Sequence, residues 1–420
     1  MTENQKPATE PSSLPGGLIP PEQWKLPETS VRRTVKGGIR HLLDQLRAGI
    51  SVEDEPFQSL DDLPVLSASQ RHRFAPEPDF AAVANTILEQ LTSDHSGNSA
   101  VGTVRLIVAP PFSGIREALA RLPVVSGKES EQSGWRVVAP PDELLMDDAS
   151  ARQWWDRQDL EEPWVIPELA DFWLRHTSGL ALVRELLRRL SAGAAGQGIV
   201  GCSSWCWQFW RGYCPDLHVS PRCPAPLDAE HLGCWLEALS HQSGRKPVIA
   251  RMTNDGLYVL PLEDDRAGKK LKRSTFLRDL ASTSRGIHGV ALAIWQRALR
   301  ARPEEEADQE SDTVVEGSSR LPQCWVAPLE QLSFPVMPQS NGRELGFVLH
   351  ALLLHDGLNE TSLELVTGLS NDGIAHVLSR LMRADIVSRA DPAGHWHVTA
   401  LGYLTVRRHL QSWGFPVDGF

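Results

Sequence analysis

Residues 104–119 read VRLIVAPPFSGIREAL. The run starts as an apolar strand, turns through Pro110-Pro111-Phe112-Ser113-Gly114 and leaves as a helix. A strand, a glycine-bearing turn and a helix N-terminus form the frame on which backbone N–H groups cradle phosphate. The full pattern, G-x-x-x-x-G-K-[ST], adds a lysine for the β/γ oxygens and a hydroxyl for Mg²⁺. Here Ala109 stands at the first glycine, Gly114 at the second, Ile115 at the lysine and Arg116 at the hydroxyl. Prolines at 110 and 111 remove two N–H donors from the turn. Arg116 brings a guanidinium able to clamp phosphate but no oxygen for a metal. Its other reading is a salt-bridged helix residue.

The partner of such a loop is an apolar strand ending in Asp-Glu, one carboxylate ordering the metal and the other polarising water. PWVIPE (163–168) ends in Pro167 and Glu168. The metal-ordering Asp is absent. Glu168 stands at the catalytic base position, or else caps the helix that follows. QGIVGCSSW (197–205) ends in Ser203 and Ser204, of which Ser203 is taken as the polar sensor position. VVSGKES (124–130) is a decoy: it follows a helix and lacks the upstream glycine, so it reads as a solvated turn.

Five of the six cysteines, Cys202, Cys206, Cys214, Cys223 and Cys234, crowd one region; the sixth is Cys324. None forms a C-x-x-C pair, and the spacings match no zinc template. These spacings point to no metal and to reduced, mostly buried thiols. Fourteen Trp against three Tyr point to packing. The net charge of −11 argues against tight non-specific binding to nucleic acid or anionic lipid over the whole surface. The polar, Pro-rich start shows no signal segment, and no run reaches the ~18 apolar residues of a spanning helix. The expectation is a cytoplasmic chain without direct membrane insertion.

Around these residues, apolar runs at 104–111, 134–141, 163–168 and 197–205 alternate with helical stripes such as Val183-Leu186-Leu187-Leu190. That alternation predicts an α/β domain with a mainly parallel sheet. The expected organisation is a disordered tail (1–30), an extension with one helix (31–79) and the α/β core (80–226). A helical lid (227–300), an acidic linker (301–340) and a C-terminal unit (341–420) follow. Residues 247–262 carry an N-D-G turn and read as a hairpin or an irregular insertion. In the C-terminal unit, three helices precede a strand–turn–strand, a winged-helix pattern, with Thr361-x-x-Glu364 read as a capping box.

The order of parts resembles the AAA+/STAND branch of P-loop NTPases, especially origin-recognition-type and related bacterial ATPases. The resemblance covers roughly residues 80–420 and rests on pattern. It implies a P-loop-like sheet core, a helical lid and a winged helix. STSRGIHGVALAIWQRAL resembles the lid segment carrying the second sensor, which makes Arg285 the implied nucleotide contact. Both nucleotide motifs depart at their diagnostic positions, so the expected activity is that of a pseudo-ATPase acting by partner binding. No cofactor is expected, or else ATP or ADP held without strong Mg²⁺ dependence. The alternatives are a divergent ATPase using Arg116 and Glu168, and a DNA-associated regulator. Relatives of this kind often assemble, so an oligomer is among the expectations.

A DNA-reading helix would begin Asn371-Asp372-Gly373, with Arg380 and Arg383 late on it and His395 and His397 on the wing. Six Arg and no Lys against eight Asp and Glu leave residues 341–420 at −2. That charge gains little from counterion release, so a protein partner is favoured over nucleic acid.

Overall fold

The structure is a computed structural model. It describes residues 13–28, 63–93, 104–126, 134–216, 219–241, 248–261, 272–301, 323–339, 342–389 and 394–420. The expected helix within 31–50 and the decoy turn at 127–130 lie outside these residues. No described helix is long and apolar enough to cross a membrane.

After a short strand β1 (Leu18–Ile19), the four apolar runs become strands β2 (Val104–Ala109), β3 (Arg136–Val137), β4 (Trp164–Ile166) and β5 (Gly198–Ser203), the last four forming one parallel sheet. Their order is β2-β5-β4-β3. Along the free edge of β2, Arg222 pairs in parallel with Ile107, and Val108 N–H donates to Arg222 O at 2.8 Å. Strand side chains alternate between two layers, as the period of two requires. Ile107, Ala109, Val165 and Ile199 face helices Phe80–Ser93 and Ile115–Ser126. Leu106, Val108, Trp164, Ile166 and Val200 face the other side, where Trp155, Leu186 and Trp210 fill the core. The chain is therefore an α/β protein with a four-stranded parallel sheet at its core.

This arrangement opens a crevice. The helix leaving β2 packs on one face, while the helix leaving β5, Ser204–Tyr213, packs on the other. Ala109 and Ser203 lie side by side at the ends of those two strands. Ligand crevices in open α/β sheets form at such switch points.

Several boundaries differ from the sequence expectation. Residues 13–28 are not a free tail. Leu18–Ile19 pairs antiparallel with Cys223–Pro224, Leu14 is buried, and Leu18 N–H donates to the Gln90 side chain at 2.8 Å. The 227–300 region is not purely helical. Ile249–Met252 and Tyr258–Leu260 form the hairpin suggested by N-D-G, and they belong to a four-stranded mixed sheet. That sheet takes Gln323–Val326 from the expected linker, pairing it parallel to Ile249–Met252 and antiparallel to Leu299–Arg300. Composition marked the segment as acidic, but Cys324, Trp325 and Val326 are buried and supply the missing strand.

In the C-terminal unit, helices Glu344–Leu354, Glu360–Thr367 and Asn371–Arg383 precede the hairpin Val387–Ser388/His397–Val398 and helix Ala400–Ser412. The expected Thr361–Glu364 box is not the cap: Asn359 caps the second helix by accepting from Ser362 N–H. One apolar cluster runs from the 227–300 helices into this unit, uniting Ile287 and Leu292 with Leu349, Leu378 and Tyr403.

Candidate functional site

The residues singled out in the sequence converge. Ala109, Gly114, Ile115, Arg116, Glu168 and Ser203 all line one cavity of about 600 Å³ at the crevice. Its opposite wall comes from the C-terminal unit, where Asp356, Ser388, His397 and Thr399 complete the lining. The hairpin that would be a DNA-contacting wing thus faces the 109–116 turn.

The turn itself is shaped by sterics. Gly114 sits at φ +81°, and an added Cβ would lie 2.9 Å from Phe80 Cε1. Phe112 also takes a positive φ, and its carbonyl accepts from Gly289 N–H at 2.7 Å. Two of the donors that would cradle phosphate are committed. Ser113 N–H returns to Pro110 O at 3.2 Å, and Ile115 N–H donates to Ser113 Oγ at 3.4 Å. With two prolines beside them, four of the seven residues 110–116 offer phosphate no free N–H.

Arg116 extends from the first turn of the helix after the loop and is engaged by two carboxylates. Nη2 donates to Asp171 Oδ2 at 2.9 Å and Nη1 to Asp356 Oδ2 at 2.6 Å. Burial alone would pull its pKa down, but Asp171, Asp356 and Glu168 outweigh that and hold it above the ordinary arginine value. The salt-bridged reading of Arg116 is the one that the geometry displays. Asp356 reaches it from a tight turn after helix Glu344–Leu354, with φ +50° at Asp356 and +114° at Gly357. At Gly357 an added Cβ would lie 2.2 Å from the His397 ring, so the turn and the hairpin are packed together. Asp tolerates the left-handed region better than most residues.

Glu168 combines the two roles open to it. It follows β4 at the position expected of the base, and it caps the 3₁₀ helix Leu169–Phe172. Its Oε1 accepts from Ala170 N–H at 3.0 Å and from Ser203 N–H at 2.9 Å. Burial pushes its pKa up to about 8, with Asp356 adding to the rise and the two N–H bonds opposing it. Asp171 is raised to about 6, by burial first, against the pull of Arg116. Ser203 serves the fold as well, its Oγ accepting from Cys206 N–H at the start of the next helix.

The other candidates lie elsewhere. Arg285 does not line the cavity; its guanidinium donates to the main-chain oxygen of Phe420, at 3.1 Å from Nε. Arg285, the second-sensor candidate implied by the resemblance, is thus held by residue 420 and away from the cavity. Asn371 is exposed at the first turn of its helix. Arg380 donates to Gln339 O and Arg383 to Ser379 Oγ, so both late cations are engaged within the unit. Sequence reasoning missed Asp171 and Asp356. Asp171 lies three residues past Glu168 and carried a local hint; nothing local marks Asp356.

Chemically, the cavity is richer in carboxylates than in cations. One guanidinium is shared by two carboxylates, with Glu117 and Glu168 close by. A phosphate oxygen at ~4 Å from each carboxylate would meet repulsion of about 4 kcal/mol per pair at an effective dielectric near 20. A single shared cation does not offset two such terms.

No family model matches the chain, and no curated protein matches it in sequence. Among solved structures it is similar to the Aeropyrum pernix ORC2 protein, solved as ADPNP–ADP complexes. Identity is 13%, coverage is 86% of this chain and 97% of that one, and the TM-score is 0.33. The strand order and the loop–helix unit described above carry the fold assignment.

Proposed function

We propose that this chain is a catalytically silent AAA+/STAND-like module that acts as a regulatory or scaffolding element through a protein partner. The observation that carries the reading is the double ion pair of Arg116 with Asp171 and Asp356. It occupies the one cation at the phosphate-binding turn and uses it to tie the C-terminal unit to the core. The lysine and the metal-ordering Asp are replaced, and the turn is short of free N–H donors.

The way the C-terminal unit sits supports the same reading. Its hairpin lines the cavity, Trp205 Nε1 donates to Tyr403 Oη at 3.2 Å, and Arg175 N–H donates to His355 Nε2 at 3.3 Å. Asp418 is buried between Ser204 and Arg407. A unit held this way is a fixed surface for a partner rather than a free nucleic-acid reader.

Calorimetry of the full chain with ATP and with ADP, with and without Mg²⁺, tests the proposal. The expected result is no saturable heat at nucleotide concentrations up to the millimolar range. Mg²⁺-dependent turnover abolished by Glu168→Gln overturns it in favour of a divergent ATPase.

A further inference from the structure

We propose that Glu168, Cys202 and Cys206 form a site for a thiophilic divalent cation of the Zn²⁺ class. One oxygen of Glu168 and the two Sγ atoms lie within 4.8 Å of one another, and all three residues are buried. Tetrahedral zinc with Zn–S near 2.3 Å places two sulfurs ~3.8 Å apart. The trio therefore closes on such an ion through side-chain adjustments of about an ångström or less.

The fold explains the juxtaposition. Cys202 is the penultimate residue of β5, and Cys206 lies in the first turn of the helix that follows. The strand-to-helix turn, capped by Ser203, brings the two thiols to one point. Glu168 arrives from the end of the neighbouring strand β4, held in register by the Ile166–Val200 pairing. A search for C-x-x-C spacing cannot find this set, because the two cysteines are spaced C-x-x-x-C and the third ligand is on another strand.

The surroundings are those of a ligating set rather than of idle thiols. Trp173 Nε1 donates to Cys206 Sγ at 3.3 Å. Ser203 and Ala170 N–H groups both donate to Glu168 Oε1, which orients the carboxylate and leaves Oε2 for a cation. Outer donors of this type fix ligand orientation in metal sites. Burial raises both the Cys202 and the Cys206 thiol in the metal-free chain, so an ion entering here displaces their protons. Two sulfurs exclude Mg²⁺ and Ca²⁺, which take oxygen ligands, and select Zn²⁺ among common divalent cations.

Three protein ligands leave one coordination position. Glu168 and Cys202 line the cavity and Cys206 does not, so the open position faces the 109–116 turn. Two thiolates and one carboxylate leave the loaded centre net negative. The site thus goes beyond the silent-module reading without weakening it.

The test is a titration of the chelator-stripped, reduced full chain with Co²⁺, followed by its thiolate-to-cobalt charge-transfer absorption and then by Zn²⁺ displacement. The expected result is one Co²⁺ per chain, displaced stoichiometrically by Zn²⁺. Cys202→Ser and Cys206→Ser each lower affinity at least a hundredfold, and Glu168→Gln lowers it about tenfold. Cys223→Ser and Cys324→Ser, buried cysteines outside the trio, leave it unchanged. No charge-transfer band in the wild-type chain, or a band that persists in both trio variants, overturns the proposal. The wild-type titration decides even where a variant fails to fold. It contains no nucleotide, so its failure and a failure of the silent-module reading are separate results.

Discussion

Arg116 Nη1 donates to Asp356 Oδ2 at 2.6 Å, closing a contact between residues 240 positions apart. The same guanidinium holds Asp171 from the core. The triad therefore joins the helix after the turn, the 3₁₀ helix that follows β4 and the tight turn after the first helix of the C-terminal unit. All three side chains are about one-third exposed. Solvent screens them, so the triad acts more through charge matching and orientation than through net stability.

Releasing Arg116 from its carboxylates should make the cavity less hostile to anions. Asp171→Asn/Asp356→Asn is expected to raise affinity for ATP or inorganic triphosphate at least tenfold over wild type, about 1.4 kcal/mol. Calorimetry on the folded double variant checks this. Unchanged heats would mean that the carboxylates are not what keeps phosphate out.

The pKa values set an alkaline limit on stability. Glu168 is raised in the fold to about 8, so its contribution is full below the ordinary carboxylate range and is lost as pH rises through 8. His288 and His350 are lowered to about 4 and His355 to about 3, all by burial first, so their contribution runs the other way and is lost as pH falls below 6.5. Between these effects, stability of the metal-free chain should peak near neutrality. It should then fall by roughly 1 kcal/mol from pH 7 to 8.5. Urea midpoints across that range read the decline, and Glu168→Gln should flatten it. A decline of equal size in the variant would assign it to another group.

Asp418 and Arg407 form the most buried ion pair between described residues, with Asp418 also receiving the Ser204 hydroxyl. Arg407→Met leaves a buried carboxylate without its cation and should cost about 3–5 kcal/mol. Adding Asp418→Asn should restore at least half of the loss. Chemical denaturation of the single and double variants measures both. Additive losses would show that the pair is not coupled.

The exposed Asn371 and the engaged Arg380 and Arg383 give a poor groove-facing surface. Anisotropy with a labelled duplex should show only weak binding at physiological salt, in the non-specific range of roughly 10⁻⁴ M or weaker. Asn371→Ala should leave it unchanged. Tight binding with a steep salt slope, lost in Asn371→Ala, would return the C-terminal hairpin unit to a DNA-reading role.

Much of the α/β core was legible locally. Three of the four parallel strands, 104–109, 164–166 and 198–203, are runs of apolar residues buried on both faces, and such runs announce themselves without knowledge of their neighbours. The helix Ala181–Ser191 was legible from its stripe and from Gly193, which takes φ +66° just past its end. The strand at 323–326 was not, since its partner at 249–252 lies more than seventy positions away across an acidic stretch. Residues 13–28 were masked in the same way by a Pro- and Gly-rich composition that also suits a packed, turning segment.

By itself, the sequence determined which groups the turn offers: no lysine, no metal-binding hydroxyl, two prolines and a guanidinium. It also determined the elements that carry them, because hydrophobic period and turn chemistry act over a few residues. Only the tertiary structure decided what those groups meet. Arg116 finds Asp356, and Arg285 finds Phe420, through packing of a distant unit whose docking no local pattern encodes. A charge does its chemistry according to what lies within a few ångströms, and in a folded chain that neighbour is set by the whole core.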